Sequence, residues 1–334
     1  LAPLFRLMQE ELAANGQTTI SGRYPAFRVA ALKLLESRGQ TIGRTAYGLE
    51  DEFGVMEDLN AGMKKLQGVV GTGDDKIWIA SIAPSSVDGS GSRMCTNNAK
   101  NMTGAIDSLY PNGQCYQDSE FKGAAGKGAP IPQNYYHDWL LASAKYGIRF
   151  ANTHMSGDRS INQFIKTIDA AQKQFGPNST KNWASDHCVL VNPADLPQAA
   201  KLNVLFSCYS NPVNNGAEIE HDYGEKVAQT YISPVKTMVS LGMHPAYEQE
   251  SSDVWRGLSL FMTRKDRNGK VWGPQERIDH ATALKMTTIW AAEYMLKPDK
   301  LGSIEKGKLA DLVVLDKDYM TISDEDVATI QPQV

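Results

Sequence analysis

No stretch of this 334-residue chain approaches the roughly 20 consecutive apolar residues that cross a bilayer as a helix. Its apolar runs are of the order of LVVL at 312–315. Charge of one sign is also missing: 34 Lys+Arg against 38 Asp+Glu give a formal charge of −4 and a pI of about 5.9. Without a basic cluster there is no face to neutralise phosphates, which argues against nucleic acid or an anionic membrane as partner. Cysteine is scarce. Cys95, Cys115, Cys188 and Cys208 show no CxxC spacing, so a zinc cluster of thiolates is excluded. Cys188 (DHCVLV) and Cys208 (VLFSCY) stand in apolar runs and read as buried small apolar groups. Cys95 and Cys115 lie in a polar stretch, where a disulfide forms if the chain is exported. The compartment stays open between cytoplasm and periplasm. The chain also lacks a starting Met: LAPLFRLMQEELAANG reads at once as an amphipathic helix rather than a signal peptide, like a chain entered in the middle.

What remains is ordinary globular composition, 42% apolar and 22% charged. At one domain per roughly 150 residues this length allows about two domains, or one (β/α)8 barrel of about 250 residues with an addition. Seven β-rich runs alternate with helical ones: 18–21, 41–48, 76–83, 149–154, 185–191, 203–209 and 243–248. Helical patterns lie at 25–39, 161–176, 193–202, 254–265 and 274–296. Such alternation predicts βα units and a parallel sheet. Beyond 296 the character changes, and LADLVVLD predicts a short strand in need of sheet partners. The Gly-, Asn- and Ser-rich insertion 84–148 is long enough to be functional.

In a parallel barrel the active site forms at the carboxyl ends of the strands, so polar residues that end β-runs are the candidates. His154 ends RFANTH, His187 sits in WASDHC, and MHPAYEQESSD supplies Glu248, Glu250 and Asp253. Two imidazoles and a carboxylate from separate strands suit Zn²⁺ or a similar divalent ion. Singly, each His reads better as a hydrogen-bonded structural residue than as a ligand.

The ordered set THMSGD, SDH, a carboxylate after the last strand, DHATALKMTTIWAAEYM and LGSIEKGKLADLVVLD resembles the metal-dependent amidohydrolase superfamily, in particular amidohydrolase family 3, the N-substituted formamide deformylase-like group. The resemblance implies a TIM (β/α)8-type barrel lacking its first strand (1–296, strands two to eight) and a partial composite β-sandwich domain (297–334). It implies that His154 and His187 are metal ligands ending strands five and six, with His187 also catalytic. Gly157 and Asp158 match the Gly-Asp after strand five, where Asp158 fixes the loop, and Asp88 matches the Asp-Gly after strand four. For the strand-eight carboxylate, a metal ligand and proton acceptor, spacing from Gly242 selects Glu250, whereas residue identity (SSD) selects Asp253. The competing role for Asp253 is to cap the following helix.

Two family features are absent. No His-x-His occurs among the six histidines (137, 154, 187, 221, 244 and 280), and no Lys stands near Pro84 or Ser85 to bridge two metals. The first absence implies a chain cut before strand one, the second a mononuclear site. His244 reads as core or second to the ligands, and the aromatic cluster of Tyr135, Tyr136, His137 and Trp139 as core or pocket wall. The expectation is a hydrolase of a non-peptide C–N bond in a small molecule: an amide, formamide or cyclic amide. Two alternatives stand beside it. One is ester or lactone hydrolysis on the same barrel; the other is an inactive subunit that pairs with itself or with a chain supplying the missing strand.

Overall fold

The computed structural model describes residues 1–50, 56, 58–84, 86–101, 111–118, 134–249 and 252–333. Seven strands form, one in each of the expected runs: β1 (Thr19–Tyr24), β2 (Arg44–Glu50), β3 (Ile77–Ala83), β4 (His154–Met155), β5 (Ala184–His187), β6 (Leu205–Tyr209) and β7 (Ala246–Glu248). All neighbours pair in parallel and in chain order, β1-β2-β3 and β4-β5-β6-β7. Parallel bridges Ile82↔Phe150 and Ser86↔His154 join the two sets. Parallel pairing requires a crossover between successive strands. Helices Ala26–Ser37, Asp158–Phe175 and Leu196–Lys201 supply it after β1, β4 and β5. Among the described residues no helix is long and apolar enough to cross a membrane.

Small side chains decide the curvature. Ala46, Ala80, Ala151, Ala184 and Ala246, from five different strand segments, pack in one cluster with Trp78, Tyr294 and Met295. Residues of β2 and β7 can share a cluster only if the sheet curls round on itself, and alanines let the backbones converge. Outside the sheet, Phe150, Phe164 and Trp183 bind the helix Asp158–Phe175 to β4 and β5, with Phe164 and Trp183 stacked at 5.9 Å between centroids.

At the amino ends of the strands one fully buried cation ties the elements together. Arg149 donates to the carbonyls of Asn182 (2.6 Å), Ala80 (2.7 Å) and Tyr294 (2.7 Å), and lies 5.0 Å from the Tyr294 ring centroid. Burial pushes its pKa down from the usual guanidinium value. The segment after residue 296 attaches to the same end. Asp311 accepts from Arg44 Nε (2.6 Å) and Nη2 (3.0 Å), and Lys297 and Lys300 both reach Asp75 at 2.9 Å.

Two expectations need correction. LADLVVLD forms no strand; it holds one antiparallel bridge, Leu315↔Pro332, while Leu312 and Val314 stand 58% and 57% exposed. Its alternating side chains have no sheet to lie on among the described residues. Cys188 and Cys208 are also not isolated apolar groups but pair with each other, while Cys95 and Cys115 form the disulfide their polar stretch allows, leaving no free thiol among the described residues. Cys208 lies on β6 beside the end of β5, so adjacency of neighbouring strands, invisible in the local apolar pattern, brings their Cα atoms to 4.7 Å.

Chain folded under oxidising conditions should therefore take up no iodoacetamide in denaturant before reduction and four equivalents after it, counted by mass spectrometry. Arg149→Met should strip donors from three buried carbonyls and cost about 3–5 kcal/mol, read as a lowered urea midpoint. A loss under about 1 kcal/mol would show that water replaces the guanidinium.

Candidate active site at the carboxyl ends of the strands

His154 is held from one side by Asp88, which lies just beyond β3. The Asp88 side chain is completely buried and accepts from His154 Nδ1 (2.9 Å), Ser156 N (3.0 Å to each oxygen), Gly157 N (2.8 Å) and Ser160 Oγ (2.6 Å). The other ring nitrogen of His154, Nε2, lies 3.2 Å from Ser156 Oγ. The turn that follows is packed against the loop before it. A Cβ on Gly157 would stand 1.9 Å from the Cys95 carbonyl, which leaves only glycine room there. Asp158 accepts from Thr96 Oγ1 (2.5 Å) and Asn97 N (3.4 Å), tying the loop to the helix start. Burial pushes its carboxyl up despite these bonds.

His187 ends β5 in an unusual backbone state. Its φ is 74° and that of Cys188 is 53°, two consecutive left-handed residues without glycine. Glu248, at the end of β7, receives both the His187 Nδ1 and the His187 backbone N–H, the latter at 2.7 Å. The Ser207 hydroxyl on β6 lies 2.7 Å from Glu248 Oε2 and 2.6 Å from Asp186 Oδ1. Asp186 also accepts from Tyr294 Oη (2.6 Å) and from Thr153 N (2.6 Å). Burial, then the neighbouring Glu248 charge, pushes the Asp186 carboxyl up. Burial acts upward on Glu248 too, but the His187 charge and the bonds from His187 and Ser207 outweigh it and hold that carboxyl down. The Ser207 hydroxyl thus stands between two carboxyls with one proton to share.

The arrangement brings the two imidazoles together, 4.5 Å between centroids and nearly perpendicular. Their side chains remain 19% and 14% exposed, so both rings reach the rim of the sheet. Asp253 lies elsewhere in its chemistry: it caps the helix Val254–Thr263, accepting from Arg256 N at 3.0 Å. Glu250 lies outside the described residues. The carboxylate found on His187 is Glu248, which the sequence groups with these two without distinguishing it. Asp186, Ser207 and Tyr294 carry weaker signals. Asp186 is a charged residue at the end of a β-run, next to a histidine whose side chain a flat strand would aim at the opposite face. Nothing in the sequence links Tyr294 to it. His244 is half-exposed and pairs with Glu293 (2.7 Å) over Trp290, not with the ligand candidates, because the histidine precedes β7.

As a metal site the donor set fits in kind and is short in number. Each imidazole has its Nδ1 oriented by a carboxylate, the arrangement that fixes metal-ligating histidines. Among the described residues, however, no group of three or more His, Cys, Asp or Glu is placed to hold an ion, whereas a catalytic zinc uses three protein ligands. His154 and His187 are the residues that would hold it.

Residues 90–333 match the model of the amidohydrolase family. N-substituted formamide deformylase from Arthrobacter pascens is 23% identical over 240 residues, 68% of this chain and 42% of that protein. A 5-methylthioadenosine/S-adenosylhomocysteine deaminase from Thermodesulfovibrio yellowstonii is 37% identical over 90 residues, 25% of this chain and 20% of its own. Among solved structures, a metal-dependent hydrolase from Pyrococcus furiosus superposes with a TM-score of 0.74 at 20% identity, over 96% of this chain and 60% of the other. The zinc complex of an atrazine chlorohydrolase from Arthrobacter aurescens gives 0.55 at 13%, over 99% and 69%. The chain thus spans under two thirds of the first of these relatives, and with a family model covering most of its length it belongs to the amidohydrolase family.

Proposed function

We propose that this chain carries most of the barrel of a metal-dependent hydrolase that cleaves a non-peptide C–N bond in a small molecule, an amide, formamide or cyclic amide. The observation that carries the reading is the pair of adjoining imidazoles, each anchored through Nδ1 on a carboxylate, at the carboxyl ends of neighbouring parallel strands. Deformylase and deaminase relatives act on C–N bonds by their names, which supports the bond type. On this reading the architecture is a (β/α)8-type barrel whose first strand lies outside this sequence, with residues 297–334 belonging to a second, composite β-domain.

A bound divalent ion, zinc in our reading and single, would lower the pKa of water and polarise the substrate carbonyl. His154 and His187 would hold it through Nε2. A carboxylate from the segment after β7 would take the proton of the attacking water and deliver it to the leaving nitrogen. Glu250 and Asp253 lie there. Spacing favours Glu250 and residue identity Asp253, which the helix cap engages, whereas Glu248, at the end of β7, is taken up by the Nδ1 and backbone N–H of His187 and orients that ring.

Incubated with zinc and a panel of N-acyl amides, formamides, cyclic amides, esters and lactones, the chain, joined to any sequence that precedes it in its gene, should turn over an amide class. Chelation should remove turnover and zinc restore it; ester turnover alone, or none with any substrate, would overturn the reading. Three separate substitutions assign the carboxylates. Glu250→Gln should lower kcat by about 10²–10⁴. Glu248→Gln, which alters the group that orients His187, should weaken zinc binding or activity about 10–100-fold. Asp253→Ala should cost about 1 kcal/mol of stability and leave kcat intact. If Asp253→Ala abolishes turnover and Glu250→Gln does not, the proton acceptor is Asp253.

A further inference from the structure

We propose that Asp186 is a positioning residue that sets the spacing and orientation of the His154 and His187 imidazoles while touching neither ring, with Tyr294 as its anchor. The inference rests on the reading of the two histidines as one metal site. Asp186 reaches His154 through the backbone. Its Oδ2 accepts from Thr153 N at 2.6 Å, one residue before His154, and the Tyr294 hydroxyl that donates to Asp186 Oδ1 itself accepts from Asn152 N at 3.2 Å. Asn152 has a φ of 62°, so the chain enters β4 through a left-handed residue that leaves two successive amides to be satisfied off the sheet. The acceptors that meet them are Asp186 and Tyr294.

Asp186 reaches His187 in two ways. It immediately precedes it in β5, where the following left-handed residues turn the imidazole toward β7. It also shares the Ser207 hydroxyl with Glu248, the carboxylate that receives both the ring and the backbone N–H of His187. One buried side chain thus links the strand entering the first imidazole to the carboxylate orienting the second. Tyr294, from the helix Ile289–Tyr294, closes the network from below, and Arg149 binds its carbonyl and faces its ring. Loss of a carboxylate placed this way should loosen both rings together, whereas loss of Asp88 should loosen only His154.

Asp186→Asn tests this directly. Tyr294→Phe, which deletes one hydroxyl and keeps the ring over Arg149, serves where the first variant does not fold. Each variant is paired with wild type in two measurements. In the metal-free chain, the imidazole ¹⁵N resonances of His154 and His187 should both shift, and the Thr153 amide should lose hydrogen-exchange protection, with Tyr294→Phe still unfolding cooperatively at a thermal midpoint lowered by a few degrees. Competition with a chromophoric chelator for zinc alone should show affinity weakened about 10–100-fold, the usual effect of removing an outer-shell partner. Resonances of His187 moving alone, or of neither, would overturn the proposal. Wild-type chain that binds no zinc would instead refute the metal reading, and the ring spectra would still decide the positioning role.

Discussion

The site depends on a constraint that every parallel sheet imposes: the strands deliver their last residues to one rim, where polar groups crowd together and water cannot reach all of them. Here Asp186, Ser207 and Glu248 come from three adjacent strands and leave one serine hydroxyl between two carboxyls. Two buried negative charges at that separation would be strongly unfavourable. Burial and the Glu248 charge push the Asp186 carboxyl up, while His187 and its bonds hold the Glu248 carboxyl down. The network is satisfied only when all of its members are in place, which is why it specifies one geometry for the two histidines.

The long insertion after β3 is drawn into the same constraint. Asp88, beyond β3, takes four donor groups from His154 on β4, Ser156 and Gly157 in the turn after it and Ser160 in the following helix, and Cys115 bridges back to Asp88 across an antiparallel contact. The Cys95–Cys115 bond fixes that loop as a closed unit, and Gly157 lets the Cys95 carbonyl approach more closely than any side chain would permit. On the other flank, Cys188 follows His187 directly and is bonded to β6. Each imidazole therefore has a disulfide within its supporting backbone.

Much of this was legible in the residues. The seven β-rich runs give seven strands because β-branched and aromatic residues bounded by turn residues make no other regular element of that length. His154 could be chosen because it ends such a run and His187 because it stands within the next, and the turn motif Gly157-Asp158 holds its loop as the family resemblance implies. The carboxylate could not be resolved in the same way. Glu248, Glu250 and Asp253 lie within five positions of one another, and that Glu248, at the end of a three-residue strand, meets His187 is a contact no local pattern reveals.

The sequence by itself determined the alternation of strands and helices, the two histidines and the polar rim, because periodicity and residue type are local properties. Tertiary structure alone decided the partnerships. Cys188 with Cys208, Tyr294 with Asp186 and Arg149 with three carbonyls join positions 20 to 145 residues apart. The tail shows the same limit from the other side: LADLVVLD has the pattern of a strand, but a strand exists only where another backbone offers hydrogen bonds, and that is settled by what lies beside it in space.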